Sequence, residues 1–169
     1  LIIPHIKNED DKKRALDELP QSGIGKTIMT MEPKFVPSNA VEVLVEENLT
    51  VKVRLIDCVG YIIENAQGYL EDGKMRMVKT PWFSETIPFD DAAKIGTQKV
   101  IKEHSTLGIC VLSDGTINEF TRDDYRNSED QVIEELKSID RPFVIVLNSK
   151  TPTTDATNKI KQELEEKYN

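Results

Sequence analysis

Asp57-Cys58-Val59-Gly60 closes a strand-like run in which Val51, Val53 and Leu55 alternate with Lys52 and Arg54. That period of two marks a strand with one apolar face. An acid at the carboxyl end of a strand is placed to hold a Mg²⁺ ion, usually through water. A glycine three residues later can bring its backbone N–H against a terminal phosphate, and open α/β sheets bind their ligands beyond the strand carboxyl ends. Asp57 and Gly60 are therefore candidates for phosphate chemistry. The competing reading is a plain turn, since Asp commonly follows a strand for local reasons.

A second strand end offers different chemistry. Phe143 to Leu147 (FVIVL) runs into Asn148-Ser149-Lys150-Thr151. A guanine reader places Asn-Lys-x-Asp here, and its Asp accepts hydrogen bonds from the base. In this chain Thr151 stands at the Asp position and Ser149 at the Lys position, so the main basis of guanine choice is missing. Asn148 and Ser149 are the candidates for contact with a nucleotide; the alternative is a solvated polar turn. Gly23-Ile24-Gly25-Lys26-Thr27 resembles the end of a phosphate loop, but GxxxxGK[ST] needs a glycine where Pro20 stands. No apolar strand precedes it, and no other segment qualifies. His5 and His104 are too few and too far apart for a zinc site. Cys58 and Cys110 read as buried, reduced thiols. No serine sits in a nucleophile elbow.

The elements that must position these residues follow from periodicity. Asn8 to Leu19 reads as a short helix capped by Asn8. Residues 20–40, with Pro33 and Pro37, read as a long loop. Val41 to Val45 and Val51 to Leu55 read as a hairpin across Glu46-Glu47-Asn48. Residues 57–89 read as a second long loop, rich in Gly and Pro, whose Tyr69, Trp82 and Phe83 either form a contact surface or tuck into the core. Asp90 to Glu103 predicts a helix. Leu107 to Leu112 and FVIVL are continuous apolar runs, expected of strands buried on both faces. Ser128 with Gln131 resembles a capping box for the helix between them, which otherwise begins near Arg122. The acidic pairs Asp90-Asp91 and Asp123-Asp124 read as helix caps. Ala156, Ile160, Leu164 and Tyr168 form a last amphipathic stripe. Strands alternating with helices predict an α/β fold with a mostly parallel sheet. The formal net charge of −8, with no long basic block, argues against nucleic acid or an anionic membrane surface as partner. No apolar run approaches a transmembrane segment.

The runs DELPQSGIGKTIMTMEPKFVP (17–37), VRLIDCVGY (53–61), TPWFSETIPF (80–89), GTQKVIKEHST (96–106) and RNSEDQVIEELKSIDRPFVIVLNS (126–149) carry a closer signal. Together they resemble the stage IV sporulation protein A family, in its amino-terminal ATPase domain, over nearly the whole chain. The resemblance implies a P-loop NTPase-like three-layer fold, akin to translation-factor GTPases, with a mostly parallel sheet and one antiparallel edge hairpin. It implies that residues 1–169 are a single partial domain, truncated at both ends, with the first strand and phosphate loop upstream and this piece inactive by itself. Residues 20–40 become a switch I-like loop, and 57–89 switch II with a long loop. Thr30 matches the switch threonine that senses Mg²⁺ and the γ-phosphate, Asp57 the Mg²⁺-linked acid and Gly60 the phosphate-sensing glycine. Met31 stands where the family often has a second threonine. The implied cofactor is Mg²⁺ with ATP. The implied function is hydrolysis that drives self-polymerisation, with other spore coat proteins as partners. The place is the mother-cell cytoplasm, at the outer forespore surface. A regulatory GTPase switch and a non-enzymatic assembly module are the competing readings.

Overall fold

The computed structural model describes residues 2–17, 34–58, 60–63, 66, 69–80 and 82–168. Thr30, Met31, the Gly23–Thr27 segment and most of the expected switch I-like loop lie outside them.

Helix α1 spans Glu9–Asp17. The Asn8 carboxamide caps it as the sequence predicts, accepting the N–H groups of Asp10 at 2.9 Å and Asp11 at 3.0 Å. Strands β1 (Lys34–Glu46) and β2 (Leu49–Asp57) form the expected hairpin, registered from Lys34 opposite Asp57 to Glu46 opposite Leu49. The predicted loop at 20–40 is corrected at its end, because β1 already begins at Lys34. Pro37, which reads as a strand breaker, follows a cis bond and sits inside an irregularity between Val36 and Val41. Proline is tolerated at such bulges because no ladder bond is asked of its nitrogen.

The predicted long loop at 57–89 is corrected as well. It holds strands β3 (Leu70–Glu71) and β4 (Lys74–Met75), joined by Asp72-Gly73 with φ of 51° and 73°, the positive values a tight hairpin turn demands. Strand β5 (Met77–Val78) then pairs with β6 (Ile87–Pro88). The segment is pinned by Phe89, which is wholly buried, lies under the Arg76 guanidinium and donates its N–H to the Arg76 carbonyl at 2.8 Å. Phe89 opens helix α2 (Phe89–Lys99), which continues as a wider π-turn over Val100–His104. Trp82 lies against α2 where Gly96 leaves room: a Cβ there would come within 3.2 Å of the indole. Phe83, beside it, is exposed.

The last third is regular. Strand β7 (Gly108–Ser113), helix α3 (Arg122–Ser138), strand β8 (Phe143–Asn148) and helix α4 (Asp155–Tyr168) follow in order, and β7 and β8 pair in parallel. Helix α3 starts at Arg122, capped reciprocally by Thr121 and Asp124. The Ser128–Gln131 box is therefore not a cap, and Ser128 instead donates to the Tyr125 carbonyl inside the helix. Cys110, Leu112, Ile133, Leu136 and Leu164 form a buried cluster, with Phe143, Leu147 and Ile160 packed against it.

Two expectations about the sheet are overturned. Among the described residues only β7–β8 is parallel; the other three pairs are antiparallel and each stands as its own two-stranded sheet. Two-residue connections such as Glu47-Asn48 and Asp72-Gly73 can only return the chain antiparallel. Nor is the β7–β8 pair covered on both faces. Helices α3 and α4 cover the face of Cys110 and Leu112, while Ile109, Val111, Val144 and Val146 are exposed on the other. What the fold does share with the sequence reading is the α/β class, the β1–β2 hairpin and the four helices.

Candidate functional site

Asp57 is the last residue of β2, exposed at the strand's carboxyl end. The residues that follow are held from both sides. Cys58 is half-buried, and burial pushes its thiol pKa up, against a hydrogen bond with Thr97 of α2 that lowers it; the Asp57 charge also raises it. Tyr61 donates its hydroxyl to Glu135 on α3, whose carboxyl is itself raised by burial. Between these two anchors Gly60 faces open space: a Cβ there would meet nothing within 4 Å, and its φ is not in the left-handed region. Packing and backbone conformation therefore do not require a glycine at this position. Close approach of a ligand to its N–H would.

The ends of β7 and β8 carry a second constellation, centred on a residue the sequence reading missed. Asp114 follows β7 and is only 7% exposed. Its carboxylate accepts the Thr116 N–H at 2.9 Å, the Thr116 hydroxyl at 2.6 Å and the Thr157 hydroxyl at 3.2 Å. Its own N–H donates to the Asn148 carbonyl at 3.2 Å. The Thr116 hydroxyl oxygen in turn accepts the Lys150 N–H at 2.9 Å. Burial pushes the Asp114 carboxyl upward, yet hydrogen bonds from Ser149, Thr116 and Thr157 outweigh it and hold the carboxyl below its usual range. Asp114 is thus a buried, charged hub joining the loop after β7, the loop after β8 and the first turn of α4. The legible signal was local: Asp-x-Thr after a strand is an Asx-turn pattern. Its partners at 149 and 157 could not be read from spacing.

This hub uses up one of the two base-end candidates. The Ser149 hydroxyl accepts the Thr151 N–H at 2.9 Å and lies 3.2 Å from the Thr157 hydroxyl. Asn148, the last residue of β8, keeps an exposed side chain, and Asp155 is exposed in the first turn of α4. Behind the hub, Gly115 has φ of 86°, and a Cβ on it would meet the Arg122 nitrogen at 2.6 Å. Arg122 forms a two-pronged ion pair with buried Glu129 and reaches the Ser113 carbonyl. The structure therefore joins Asn148 and Ser149 to Asp114 and sets Asp57 with Gly60 at a different strand end. Tyr61 reaches from the Asp57 side to α3.

Among the described residues no group of three or more His, Cys, Asp or Glu could cage a metal ion. Burial, with the Glu129 charge beside it, raises the Cys110 thiol to about 11, so it is protonated at neutral pH. A lone exposed carboxylate such as Asp57 suits the other way proteins use Mg²⁺, with one or two carboxylates, several waters and substrate phosphates completing an octahedron.

Residues 1–169 match the family described as Stage IV sporulation protein A, ATPase domain. The chain belongs to that family. It is 53% identical over 168 residues to Stage IV sporulation protein A of Clostridioides difficile (strain 630), 52% to that of Bacillus subtilis (strain 168) and 51% to that of Bacillus anthracis. Each match covers 99% of this chain and 34% of the relative, so the chain spans about a third of the length of the Stage IV sporulation protein A sequences it matches. No solved structure matches. Among the described residues no helix is long and apolar enough to cross a membrane.

Proposed function

We propose that the full-length protein hydrolyses ATP and that this chain supplies two parts of the site. The strand end at Asp57 and Gly60 serves the phosphates, and the strand end at Asn148 serves the base. Asp57 holds Mg²⁺ through water, and the Gly60 N–H meets the γ-phosphate. Thr30 joins them as the switch threonine. The ion, when bound, neutralises charge on the phosphate oxygens. Strands and helices elsewhere in the full-length protein complete a three-layer sheet over the free face of β7–β8 and bring the phosphate loop. The 169-residue chain alone is accordingly inactive. Hydrolysis drives self-polymerisation of the spore coat base layer with other coat proteins, in the mother-cell cytoplasm at the forespore surface.

The observation that carries the choice of base is the state of Asp114. A guanine reader needs a free carboxylate beside the base, a charge-assisted pair worth roughly 1.5–3 kcal/mol, or about ten- to a hundredfold in affinity. The carboxylate closest to Asn148 in the hydrogen-bond network is Asp114, and it is buried and turned to Thr116 and Thr157. Thr151 offers no charge. The Asn148 carboxamide can meet either purine, so the choice of base turns on the missing carboxylate. Competition between ATP and GTP in a phosphate-release assay on the full-length protein tests this. ATP is expected to be turned over at least as well as GTP; a clear preference for GTP would overturn the reading in favour of a guanine-nucleotide switch.

A further inference from the structure

The Asp114 carboxylate itself is buried, and its hub fixes the backbone on which the base-end residues Asn148 and Ser149 sit. Five hydrogen bonds build it. Asp114 receives Thr116 twice and Thr157 once, and Thr116 passes the restraint on to the Lys150 N–H. The Asp114 N–H holds the Asn148 carbonyl. Lys150 is thus tied through Thr116 to a buried carboxylate far away in sequence, while Asn148, on the other side of Ser149, is held by the backbone of the same residue. The Ser149 and Thr157 hydroxyls face each other within the hub. A solvated turn has no need of such an arrangement: its backbone N–H groups can bond to water, and a buried carboxylate costs desolvation that an apolar residue would not.

We propose that Asp114 is a positioning residue for the base end of the nucleotide site, acting through Thr116 and Asn148 to hold the strand-end segment 148–150 in the geometry that receives the adenine ring. The proposal rests on the ATP-hydrolysis reading given above. Its physical content is a separation of effects. The phosphate end, at Asp57 and Gly60, is anchored independently through Cys58–Thr97 and Tyr61–Glu135. Loosening the hub therefore weakens nucleotide capture and leaves the chemical step alone.

The test is steady-state ATP hydrolysis by the full-length protein carrying Asp114→Ala, Asp114→Asn or Thr116→Val, each checked for folding by its thermal midpoint. Asp114→Ala is expected to raise KM for ATP about tenfold or more with kcat within about twofold, since small misplacements of a binding group cost up to about a hundredfold. Asp114→Asn is expected to recover most of the loss, because its carbonyl can serve Thr116 while its amide donates to the Thr157 oxygen. Thr116→Val cuts only the bridge from the carboxylate to Lys150, at an exposed position. It is expected to raise KM severalfold with the thermal midpoint unchanged, which keeps the proposal testable if Asp114→Ala fails to fold. An unchanged KM in folded Thr116→Val, with only the thermal midpoint of Asp114→Ala lowered, would reduce the hub to a fold brace and overturn the proposal alone. Absence of ATP turnover by the wild-type protein would overturn the hydrolysis reading and this one with it.

Discussion

Arg122 reaches seven residues along α3 to clamp Glu129, which is only 4% exposed at its side chain, with both terminal nitrogens, and one of these, Nη1, also donates to the Ser113 carbonyl at the end of β7. A buried carboxylate with one cationic partner is a costly thing to orphan. Arg122→Met keeps the length and the apolar stem but removes the charge, and is expected to destabilise the protein by about 3 kcal/mol or more, the usual cost of breaking a buried pair from one side. Urea denaturation measures it; a loss below about 1 kcal/mol would place the pair with exposed bridges such as Lys161–Glu165, which contribute little. At this scale the sequence was legible where chemistry is local. That a strand ends at Asp57 could be read from its rhythm, and Asn8 as a cap from its place before a run of acids. Asp114 could not, since what makes it more than a turn residue is a hydroxyl 43 residues away.

Helix α2 carries its own small residue for a reason that only packing shows. Gly96 is buried, and the far edge of the Trp82 indole fills the space a side chain would take. Lys99, one turn on, lies over the same ring at 5.9 Å. Gly96→Leu should expel the indole and cost about 1–3 kcal/mol through overpacking. Trp82 is the chain's only tryptophan, so its emission reports this contact alone and should shift to the red. An unmoved emission maximum would mean that the ring is held by other elements. The aromatic pair thus divides: Trp82 docks on a helix and Phe83 remains exposed, where the sequence left both readings open for both. Element boundaries failed where two rules competed. Pro37 argued for loop but sits in a bulge of β1. Ser128 and Gln131 have the spacing of a capping box, but Thr121 and Asp124 have it too, and the longer helix buries Ser128 and Glu129. The short pairs β3–β4 and β5–β6 were invisible because two-residue strands carry no period.

At the scale of the whole molecule the decisive feature is the uncovered side of β7–β8. Ile109 pairs with Val144 and Val111 with Val146 in register, so four apolar side chains share one exposed face. Contiguous apolar surface of this kind marks a contact site. The 169-residue chain is therefore expected to bind the dye ANS, and Val111→Lys with Val146→Lys to remove about half or more of that signal without unfolding β7–β8, whose core faces the other way. Dye binding that persists undiminished would move the exposed surface elsewhere, to the hairpin β1–β2 with its exposed Leu44, Val45 and Leu49. Continuous apolar runs in the sequence were read as strands covered twice. They report what a strand can be covered by, and in this chain one of the two covers is α3 with α4 while the other is not among the described residues.

The buried cluster of Cys110, Leu112, Ile133, Leu136 and Leu164 also sets an order in time. Every member lies after residue 107, whereas the β1–β2 hairpin is complete by Asp57. A two-stranded hairpin is marginal on its own. On the ribosome the hairpin and α1, which packs against it, are complete about 110 residues before the last turn of α4, roughly 5–20 s earlier at ordinary synthesis rates. Its strand edges and its Leu44, Leu49 and Leu55 stand open from that moment, so nascent chains crowded on one message are open to pairing with each other through the segment that ends in Asp57.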